Sequence, residues 1–438
     1  MDDFNLKSKI SSKKAVVCIV GVGYIGLPNA VLFASKGYTV IAADVNERIV
    51  RMTNEGKSHI KDAVLEKSVP QAFATGRLKA TQDVSKAVSE SDAVLISVPT
   101  PSENGEPDLS FVENSCAAIG KSMKKGTLVV LESTVYPGCC EEIVKPILER
   151  ESGLQCGRDF FLAHCPERMN PGDTTHTVGN TIRIVGGVDS ESGEIAKALY
   201  ESVLGPNVLL VKNMKTAELV KLVENTQRDV NIAFINEIAL LCEKLGVDAR
   251  ELVDACATKW NFYKLYPGPG VGGHCLPNNP YYILKAAGKV GFKPRLFPLA
   301  REINDSMPAH VVELVEKALA KTSKKISGTK IAVLGVAYKP NLDDVRQAPS
   351  RTVIPLLLQK NADLVVSDPH VNEANLKKVF EKHSSLEKAI EWADCLVFLC
   401  AHDEYKKLGE SELKEKIVVD GALVFEKPVG RIYERVGL

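Results

Sequence analysis

One cysteine follows a short glycine-rich segment of the chain. Cys275 comes directly after the run Pro267-Gly-Pro-Gly-Val-Gly-Gly-His274, which includes Gly272 and Gly273. Because glycine has no Cβ, other molecules can approach such a backbone closely, and a thiol placed there is suited to nucleophilic chemistry. The alternative is a small buried hydrophobic residue, which is the common state of a free cysteine. No packing reason for so much flexible backbone is evident in the sequence, and this favours the nucleophile.

A second group of residues has the spacing of a dinucleotide-binding turn. Gly21, Gly23 and Gly26 follow the apolar run at residues 15–20 and precede a helical segment. In such a turn the first glycine permits the tight bend, the second lets a pyrophosphate approach the backbone, and the third allows close packing. A turn that serves packing alone is the alternative, but the complete strand, turn and helix context favours a dinucleotide.

An acidic residue completes this pattern. Asp44 follows the second apolar run, residues 39–43. A carboxylate there can accept hydrogen bonds from the adenosine ribose hydroxyls and repels a 2′-phosphate, which favours NAD over NADP. Arg48, close by, leaves NADP as an alternative. Together with Cys275, these residues suit a dehydrogenase that captures its own aldehyde product as a thioester, in a four-electron oxidation of an alcohol to an acid.

Alternating strands and helices predict an α/β fold with two Rossmann-like, doubly wound parallel sheets. The apolar runs of the first sheet are residues 15–20, 39–43, 93–98 and 127–131. Those of the second, smaller sheet are residues 330–336, 362–368, 395–400 and 417–420. Because Gly335-x-x-Tyr338 lacks the third glycine of a dinucleotide fingerprint, we expect no second NAD in the last domain.

A long central helix is predicted to join the two α/β regions. Residues 216–244 carry a periodic apolar pattern without glycine or proline, which is typical of one helix of many turns. Its apolar residues cover more than the single stripe that one neighbouring domain would bury. We therefore expect a homodimer, or a higher homo-oligomer, built on this helix. Residues 1–14 are polar and without periodicity, and are predicted to form a flexible tail.

Composition limits the class of protein. A chain of 438 residues is too long for one hydrophobic core, so two or three domains are expected. Lysine and arginine total 55 and aspartate and glutamate total 55, which indicates neither nucleic-acid nor membrane partners. Eleven cysteines without a secretory leader favour reduced thiols in the cytoplasm. The pairs His164-Cys165, His274-Cys275 and Cys139-Cys140 lack the paired spacing of a zinc site, so no metal is expected.

Seven motifs occur in a fixed order over nearly the whole chain. They are Gly21-Val-Gly-Tyr-Ile-Gly-Leu-Pro28, Val98-Pro-Thr-Pro101, Glu132-Ser-Thr-Val-Tyr-Pro-Gly138, Cys165-Pro-Glu-Arg-Met-Asn-Pro-Gly172, Glu218-Leu-Val-Lys-Leu-Val-Glu-Asn225, the Cys275 loop and Tyr338-Lys-Pro-Asn-Leu-Asp-Asp-Val-Arg346. In these motifs the chain resembles the UDP-glucose/GDP-mannose dehydrogenase family, and more closely its UDP-N-acetylhexosamine 6-dehydrogenase branch.

The resemblance implies an organisation and an activity. It implies an NAD-binding Rossmann domain at residues 15–212, a central helical dimerisation region with the cysteine loop at 213–322, and a C-terminal UDP-sugar-binding domain at 323–438. The implied activity is the NAD-dependent oxidation of a UDP-N-acetylhexosamine at C6 to the uronate, for polysaccharide or glycan precursor synthesis. Cys275 would carry the thiohemiacetal and the thioester.

The resemblance also implies roles for single residues. Cys275 corresponds to the nucleophile. Lys221 and Asn225, four residues apart on one helix face, resemble the pair that stabilises a developing oxyanion and orders water. Glu167 resembles a general base near C6, and Thr134 resembles a hydroxyl that contacts the cofactor and a catalytic water. Each of these residues also has a structural alternative. Lys221 could be a surface lysine and Asn225 a polar residue inside a helix. Glu167 could be a surface ion-pair partner and Thr134 a turn or cap residue.

Further assignments concern binding. Lys339 and Arg346 resemble residues that close on the sugar and pyrophosphate, since a positive fork suits phosphate geometry. The substrate-binding candidates are Glu167, Arg168, Lys221, Asn225, Gly272, Gly273, Lys339 and Arg346. The cofactor-binding candidates are Gly21, Gly23, Tyr24, Ile25, Gly26, Asp44, Arg48, Thr100 and Thr134.

The chain departs from the family pattern at two places. Asn279, a further catalytic candidate, stands where relatives usually have aspartate, four residues after the nucleophile. Its amide cannot act as a base or as a counter-charge to Lys221, so we expect slower hydrolysis of the thioester. Residues 258–264 also lack the arginine that many relatives carry ahead of the glycine loop.

Several functions stay open at this point. The motif forms Glu167-Arg168…Pro171-Gly172 and Tyr266-Pro-Gly-Pro-Gly270 favour N-acetylated UDP-sugars, without distinguishing the gluco, galacto and manno epimers. A UDP-glucose 6-dehydrogenase is the nearest alternative. A two-electron β-hydroxyacid dehydrogenase would leave the Cys275 loop and the last domain without a role. An inactive nucleotide-binding protein would not need Cys275, Lys221 and Glu167 together.

Overall fold

The computed structural model describes residues 6–103, 106–169, 177–273 and 275–438. The motif residues 170–172, His274 and the first five residues of the predicted tail lie outside these ranges. The chain divides into two compact units, Met1–Glu224 with Tyr281–Phe292 and Asn225–Pro280 with Lys293–Leu438. The division into three domains stays a prediction.

The first unit contains an eight-stranded sheet and a short hairpin. Their strands are β1 (Val16–Val20), β2 (Thr39–Ala43), β3 (Leu78–Thr81), β4 (Ala93–Ile96), β5 (Ser102–Glu103), β6 (Glu106–Pro107), β7 (Leu128–Leu131), β8 (Phe161–His164), β9 (Arg183–Gly187) and β10 (Val208–Val211). The sheet order is β10-β9-β8-β7-β4-β1-β2-β3, and β5 pairs with β6. The predicted parallel sheet is confirmed, except that β8 and β9 pair antiparallel.

Alternate residues of a central strand enter different hydrophobic cores. Val17 and Ile19 of β1 belong to one buried cluster, and Cys18 and Val20 belong to another. A parallel strand that is covered on both faces needs apolar side chains at every position. This is why the strand appears in the sequence as a continuous apolar run, and why the turn after it can be located from the sequence.

The helices connect these strands and those of the second unit. In chain order they are α1 (Leu6–Ser11), α2 (Gly26–Ser35), α3 (Glu47–Asn54), α4 (Ala63–Ala74), α5 (Val84–Ser89), α6 (Ser110–Gly120), α7 (Lys145–Ser152), α8 (Ser190–Leu204), α9 (Met214–Leu245), α10 (Ala249–Cys256), α11 (Asn279–Lys289), α12 (Leu296–Ala320), α13 (Ser350–Gln359), α14 (Glu373–Val379), α15 (Leu386–Trp392) and α16 (Glu410–Leu413). Within the described ranges, none is both long and apolar enough to cross a bilayer.

The N-terminal segment enters the fold earlier than predicted. Leu6 and Ile10 of α1 are buried, and the Tyr38 hydroxyl donates to the Ile10 carbonyl oxygen at 2.9 Å. The prediction of a flexible tail is therefore wrong for α1. A helix of six residues offers two apolar positions one turn apart, which is too short a pattern to be recognised by periodicity.

The predicted long helix is confirmed as α9. It has 32 residues, and the absence of glycine and proline leaves its hydrogen-bonded turns uninterrupted. The boundary between the two units falls between Glu224 and Asn225, inside this helix. α9 therefore contributes residues to both units, with Lys221 in the first and Asn225 in the second.

The second unit contains a five-stranded sheet in which all neighbouring strands are parallel. Its strands are β11 (Lys330–Leu334), β12 (Asp363–Ser367), β13 (Cys395–Phe398), β14 (Ile417–Asp420) and β15 (Ile432–Arg435). The order is β12-β11-β13-β14-β15. Four of these strands were predicted, and β15 adds a fifth. Ile331 and Leu334 of β11 enter different buried clusters, so this sheet is also covered on both faces.

Candidate active site

The glycine turn between β1 and α2 has the geometry of a dinucleotide site. Gly21 has φ +88°, and a Cβ there would lie 2.7 Å from the Ser97 carbonyl oxygen. A Cβ on Gly26 would lie 1.8 Å from the Gly21 carbonyl oxygen. At Gly23, no described atom lies within 4 Å of an added Cβ. The outer glycines are thus required by the protein itself, whereas the middle one leaves room for a ligand.

The carboxylate of Asp44 lies beside this turn. Its Oδ2 accepts the Val22 N–H at 2.8 Å, and its Oδ1 accepts the Asn46 N–H at 2.8 Å. Each oxygen has a further lone pair, which is what two ribose hydroxyls would need. Arg48 is exposed on α3. Its positive charge is what the 2′-phosphate of NADP would need, so NADP stays an alternative. The turn and the carboxylate together fit NAD.

Three other cofactor candidates border the turn or the strand ends. Tyr24 is 43% exposed, whereas Ile25, the residue before α2, is half-buried. Thr100 is buried, and its carbonyl oxygen accepts the Tyr282 hydroxyl at 2.7 Å. α11 is thereby held against the segment after β4, a contact that no sequence motif indicated.

Lys221 has no polar partner within the described part of the chain. It is half-buried on α9, and burial together with the Lys221 charge lowers the pKa of the enclosed His164 to about 3. Thr134 is also half-buried and makes no hydrogen bond to a described residue. An ammonium group without a carboxylate partner keeps its charge available for a developing oxyanion.

Glu167 lies in a buried ion pair. Its Oε2 is 2.5 Å from Arg183 Nη2, and neither side chain is more than 1% exposed. Its Oε1 accepts the N–H groups of Arg168 and Met169 at 2.7 and 2.8 Å. The structural alternative of a surface ion pair is therefore wrong. The carboxylate fixes the segment that follows β8.

Arg183 and Glu132 extend this buried polar cluster. Arg183 Nη2 donates to Asn29 Oδ1 at 2.8 Å. Glu132 accepts hydrogen bonds from Asn29, Ser97 and Tyr200 at 2.8, 2.5 and 2.7 Å. Burial raises the pKa of Glu132, and the charge of Arg183 opposes that rise. Sequence reasoning missed Arg183, because nothing in a motif indicates which distant charge a buried carboxylate will face.

The Arg168 side chain binds partners within its own unit. Its Nε and Nη2 donate to the two carboxylate oxygens of Glu224 at 3.1 and 2.5 Å. Its Nη1 donates to the Ile182 carbonyl oxygen at 2.8 Å. A guanidinium bound on these sides can position a loop.

A thiol, an imidazole and a carboxylate meet close to Lys221. The ligand-type atoms of Cys140, His164 and Glu218 lie within 4.8 Å of one another. Glu218 accepts the N–H groups of Gly138 and Cys140 at 2.6 and 2.8 Å. His164 therefore lies beside Cys140. In the sequence it was considered together with Cys165 as a possible pair of metal ligands. Glu218 anchors the motif that contains Thr134, one helical turn before Lys221.

The glycines before Cys275 are packed tightly in the second unit. A Cβ on Gly272 would lie 2.6 Å from Tyr338 Cβ, and a Cβ on Gly273, at φ +86°, would lie 2.8 Å from the Tyr338 ring. The Gly273 N–H donates to the Arg346 carbonyl oxygen at 2.9 Å. The expectation that packing gives no reason for these glycines is therefore wrong. They let the cysteine loop lie directly on the 338–346 segment, more than sixty residues away in sequence.

Cys275 differs from the other thiols in its exposure. All eleven cysteines are free and described, and Cys275 is the exposed one, whereas the others are buried or half-buried. Burial raises the pKa of the Cys18 and Cys116 thiols to about 12, which makes them poor nucleophiles. The structure therefore rejects the buried alternative for Cys275.

Asn225 and Asn279 lie together beside the cysteine loop. The Asn225 amide donates to Asn279 Oδ1, and the Asn279 N–H donates to the Cys275 carbonyl oxygen at 3.0 Å. Asn279 is buried and begins α11. An aspartate at this position could accept the same hydrogen bond from Asn225 and would add a negative charge.

The two cationic candidates of the last domain lie on one turn-rich segment. Arg346 is exposed, and its Nε and Nη2 reach the Asp344 carboxylate at 3.0 and 2.6 Å. Lys339 is half-buried. Within the second unit, the Arg346 carbonyl oxygen accepts the Gly273 N–H, and Tyr338, the residue before Lys339, packs on both glycines. Lys221, Glu167, Thr134 and the cofactor turn belong to the first unit.

Three family models match the chain in order. Residues 15–204 match the NAD binding domain of the UDP-glucose/GDP-mannose dehydrogenase family, residues 215–306 its central domain, and residues 332–427 its UDP binding domain.

Several relatives match over most of their length. A UDP-N-acetyl-D-mannosamine dehydrogenase of Pyrococcus horikoshii is 38% identical, over 96% of this chain and 99% of that protein. A UDP-N-acetyl-D-glucosamine 6-dehydrogenase of Pseudomonas aeruginosa is 34% identical, over 92% and 94%. A solved structure of the Pyrococcus horikoshii UDP-D-ManNAc dehydrogenase superposes with a TM-score of 0.90 at 36% identity, over 96% of this chain and 99% of that chain.

Proposed function

The chain belongs to the UDP-glucose/GDP-mannose dehydrogenase family, and on that premise we propose that it oxidises C6 of a UDP-N-acetylhexosamine to the carboxylate. It is an NAD-dependent UDP-sugar oxidoreductase. The names of the relatives support an N-acetylated substrate over UDP-glucose, and they include the manno and gluco epimers. The product class would be a UDP-uronate for polysaccharide or glycan precursors.

The exposure of Cys275 carries the proposed mechanism. NAD, when bound, supplies the hydride acceptor for each of the two oxidations. After the first oxidation the Cys275 thiolate adds to the C6 aldehyde and gives a thiohemiacetal. Loss of the second hydride leaves a thioester, and water then releases the acid and the thiol. The ten other cysteines are buried or half-buried, which leaves Cys275 as the thiol that a sugar can reach.

Lys221 is proposed to stabilise the negative charge that develops on the C6 oxygen. Its ammonium has no carboxylate partner in the described parts of the chain, so no ion pair must be broken before it acts. A preorganised cation of this kind contributes a few kcal/mol in the transition state. Asn225, bound to Asn279, is proposed to order the water that attacks the thioester.

The general-base role of Glu167 stays a prediction. Its ion pair with Arg183 makes protonation of the Glu167 carboxylate less favourable. Proton uptake would remove the charge that faces Arg183 at 2.5 Å. If Glu167 holds its segment instead, Glu167→Gln should lower the free energy of unfolding, because Arg183 would lose its counter-charge. If Glu167 is the base, the same variant should chiefly lower kcat. Parallel thermal unfolding and rate measurements separate the two roles.

Counting NADH per sugar tests the proposed function. The protein is incubated with NAD and each of UDP-GlcNAc, UDP-ManNAc, UDP-GalNAc and UDP-glucose, and NADH and the remaining sugar are both measured. Two NADH per sugar consumed, with an N-acetylated substrate preferred, are expected. One NADH would indicate a two-electron dehydrogenase, and none would indicate a nucleotide-binding protein. A preference for UDP-glucose would overturn the substrate assignment alone.

We also infer a cytoplasmic location. All eleven cysteines are free, which suits a reducing compartment.

A further inference from the structure

A buried histidine and carboxylate of the second unit have no part in the mechanism above. Asp368 follows β12 and His402 follows β13, and Asp368 Oδ2 lies 3.0 Å from His402 Nε2 with both side chains fully buried. Asp368 also accepts four backbone N–H groups, those of Val336, Ala337, His370 and Val371. A carboxylate with this many donors is held as the charged acceptor, so His402 Nε2 is the donor.

This contact fixes the state of the imidazole. Because Nε2 carries the proton, Nδ1 of a neutral His402 is an acceptor. His402 Nδ1 lies 2.9 Å from the backbone nitrogen of Asn341, whose N–H it accepts. The histidine therefore links the end of β12 to the segment that carries Lys339 and Arg346.

Asn341 is held from a second side. It has φ +60°, a left-handed conformation that asparagine tolerates better than most residues. Its Nδ2 donates to Asp403 Oδ2 at 2.8 Å, and its Oδ1 accepts the Asp403 N–H at 3.2 Å. Two consecutive residues after β13 thus bind Asn341, within the 338–346 segment.

The other parts of this segment reach the cysteine loop. Tyr338 fills the space above Gly272 and Gly273, and the Arg346 carbonyl oxygen accepts the Gly273 N–H at 2.9 Å. Gly273 is two residues from Cys275 in sequence. A displacement of the segment would therefore be transmitted directly to the backbone that carries the nucleophile.

We propose that His402 is a positioning residue, whose Nδ1 holds the 338–346 segment in the place where it can support both the sugar nucleotide and the Cys275 loop. The identity of the ligand rests on the proposed function. The contact of His402 Nδ1 with the Asn341 N–H does not depend on the ligand.

Two substitutions separate the two nitrogens of the imidazole. His402→Asn puts a carbonyl oxygen near the Nδ1 position and can keep the bond to Asn341. His402→Gln puts an amide nitrogen near the Nε2 position and can keep the bond to Asp368 while losing the acceptor for Asn341. We expect the Kd of UDP and the KM of the sugar nucleotide to rise about tenfold in the glutamine variant. We expect a clearly smaller rise in the asparagine variant.

A neighbouring histidine supplies the matched control. The His370 ring stacks on His402 with 4.8 Å between centroids, and its Nε2 faces Glu404 at 3.0 Å. His370→Gln should therefore leave the 338–346 segment and UDP affinity near the wild-type values. NAD affinity should be unchanged in all three variants, because the cofactor turn lies in the first unit.

Backbone hydrogen exchange of peptides covering residues 338–346 tests the hold without any sugar. Faster exchange in His402→Gln than in His402→Asn and wild type is expected. Equal exchange in all proteins, or equal acceleration in both variants with lowered thermal stability, would overturn the proposal, since either result leaves Nδ1 without a specific role. Unchanged UDP affinity despite faster exchange would also overturn it. If the wild-type protein neither binds UDP nor oxidises a UDP-sugar, the proposed function fails, and the exchange comparison still decides whether His402 holds the segment.

Discussion

Cys275 is proposed as the nucleophile because its exposure differs from that of the other ten thiols. They are buried or half-buried, whereas Cys275 is exposed. Cys275→Ser should retain NAD binding and lose acid formation by about a hundredfold or more, because a hydroxyl is a much poorer nucleophile than a thiolate. NADH release and sugar acid are measured together.

Cys256→Ser is the matched control for this prediction. Cys256 is half-buried in the same unit and lies outside the glycine loop, so its variant should oxidise the sugar at the wild-type rate. Acid formation by Cys275→Ser at that same rate would exclude the thioester.

Asn279 permits a test of thioester hydrolysis. Because the amide of Asn279 cannot act as a base toward water, we expect covalent enzyme to accumulate during turnover. Asn279→Asp should speed release of the acid. The new carboxylate can still accept the hydrogen bond from Asn225. Rapid quenching with intact-protein mass spectrometry measures the adduct on Cys275.

Asn278→Asp introduces the same charge one residue away and should not have this effect. If no adduct is detected and Asn279→Asp is no faster than the parent, this position does not limit the reaction.

Asp44 is expected to contribute to NAD affinity. Asp44→Ala removes the acceptor of the Val22 N–H and both proposed ribose contacts, so NAD should bind several-fold more weakly while the fold persists. Asp44→Asn keeps one acceptor for Val22 and should lose less. Calorimetric titration with NAD measures both variants, and equal affinity of the alanine variant and the wild type would contradict the ribose assignment.

At the scale of elements, α1 provides a prediction about stability. Ile10 is 2% exposed, and truncating a buried isoleucine leaves a cavity. Ile10→Ala should lower the free energy of unfolding by about 2–4 kcal/mol. Ser11→Ala, one residue later at an exposed position, should change it by about 0.5 kcal/mol or less. Urea unfolding of both variants checks this, and equal stabilities would mean that α1 does not contribute to the core.

The elements that could be predicted from the sequence are those whose apolar pattern can be recognised without knowing the neighbouring elements. A strand buried on both faces is apolar at every position, and α9 is periodic over many turns, so both could be predicted without knowing their neighbours. The antiparallel pairing of β8 with β9 and the helix α1 depend on partners that are distant in sequence. The same distinction applies to the site. The glycine turn and Asp44 could be predicted together, whereas Arg183, Tyr338 and His402 act through contacts between remote segments.

At the scale of the whole molecule, the exposed apolar residues of α9 predict an assembly. Phe234, Leu241 and Leu245 are 54%, 50% and 66% exposed, and their spacings of seven and four place them on one helix face. We expect this face to be buried in a two-fold homodimer. Sedimentation should therefore give a species larger than the 47.6 kDa chain.

Variants of that face make the prediction specific. Phe234→Glu with Leu241→Glu should shift the protein to the single-chain mass, because charges would be buried at the interface. Phe292→Glu, at a comparably exposed aromatic residue outside α9, should leave the assembly unchanged. A single-chain species for the wild type at micromolar concentration would contradict the dimer.

The carboxylates after the second strand of each sheet have a consequence for cofactor occupancy. In each sheet a glycine and then a valine follow the first strand. Asp44 accepts the N–H of Val22 at 2.8 Å, and Asp368 accepts the N–H of Val336 at 2.8 Å. Asp44 keeps lone pairs for a ribose, whereas Asp368 gives its remaining capacity to His402 and three more backbone groups. We therefore expect a stoichiometry of one NAD per chain. Two oxidations at one such site require NADH to leave and a fresh NAD to enter while the half-oxidised sugar stays behind. The covalent bond to Cys275 would then act as a tether during this exchange, so that the aldehyde is not lost each time the cofactor departs.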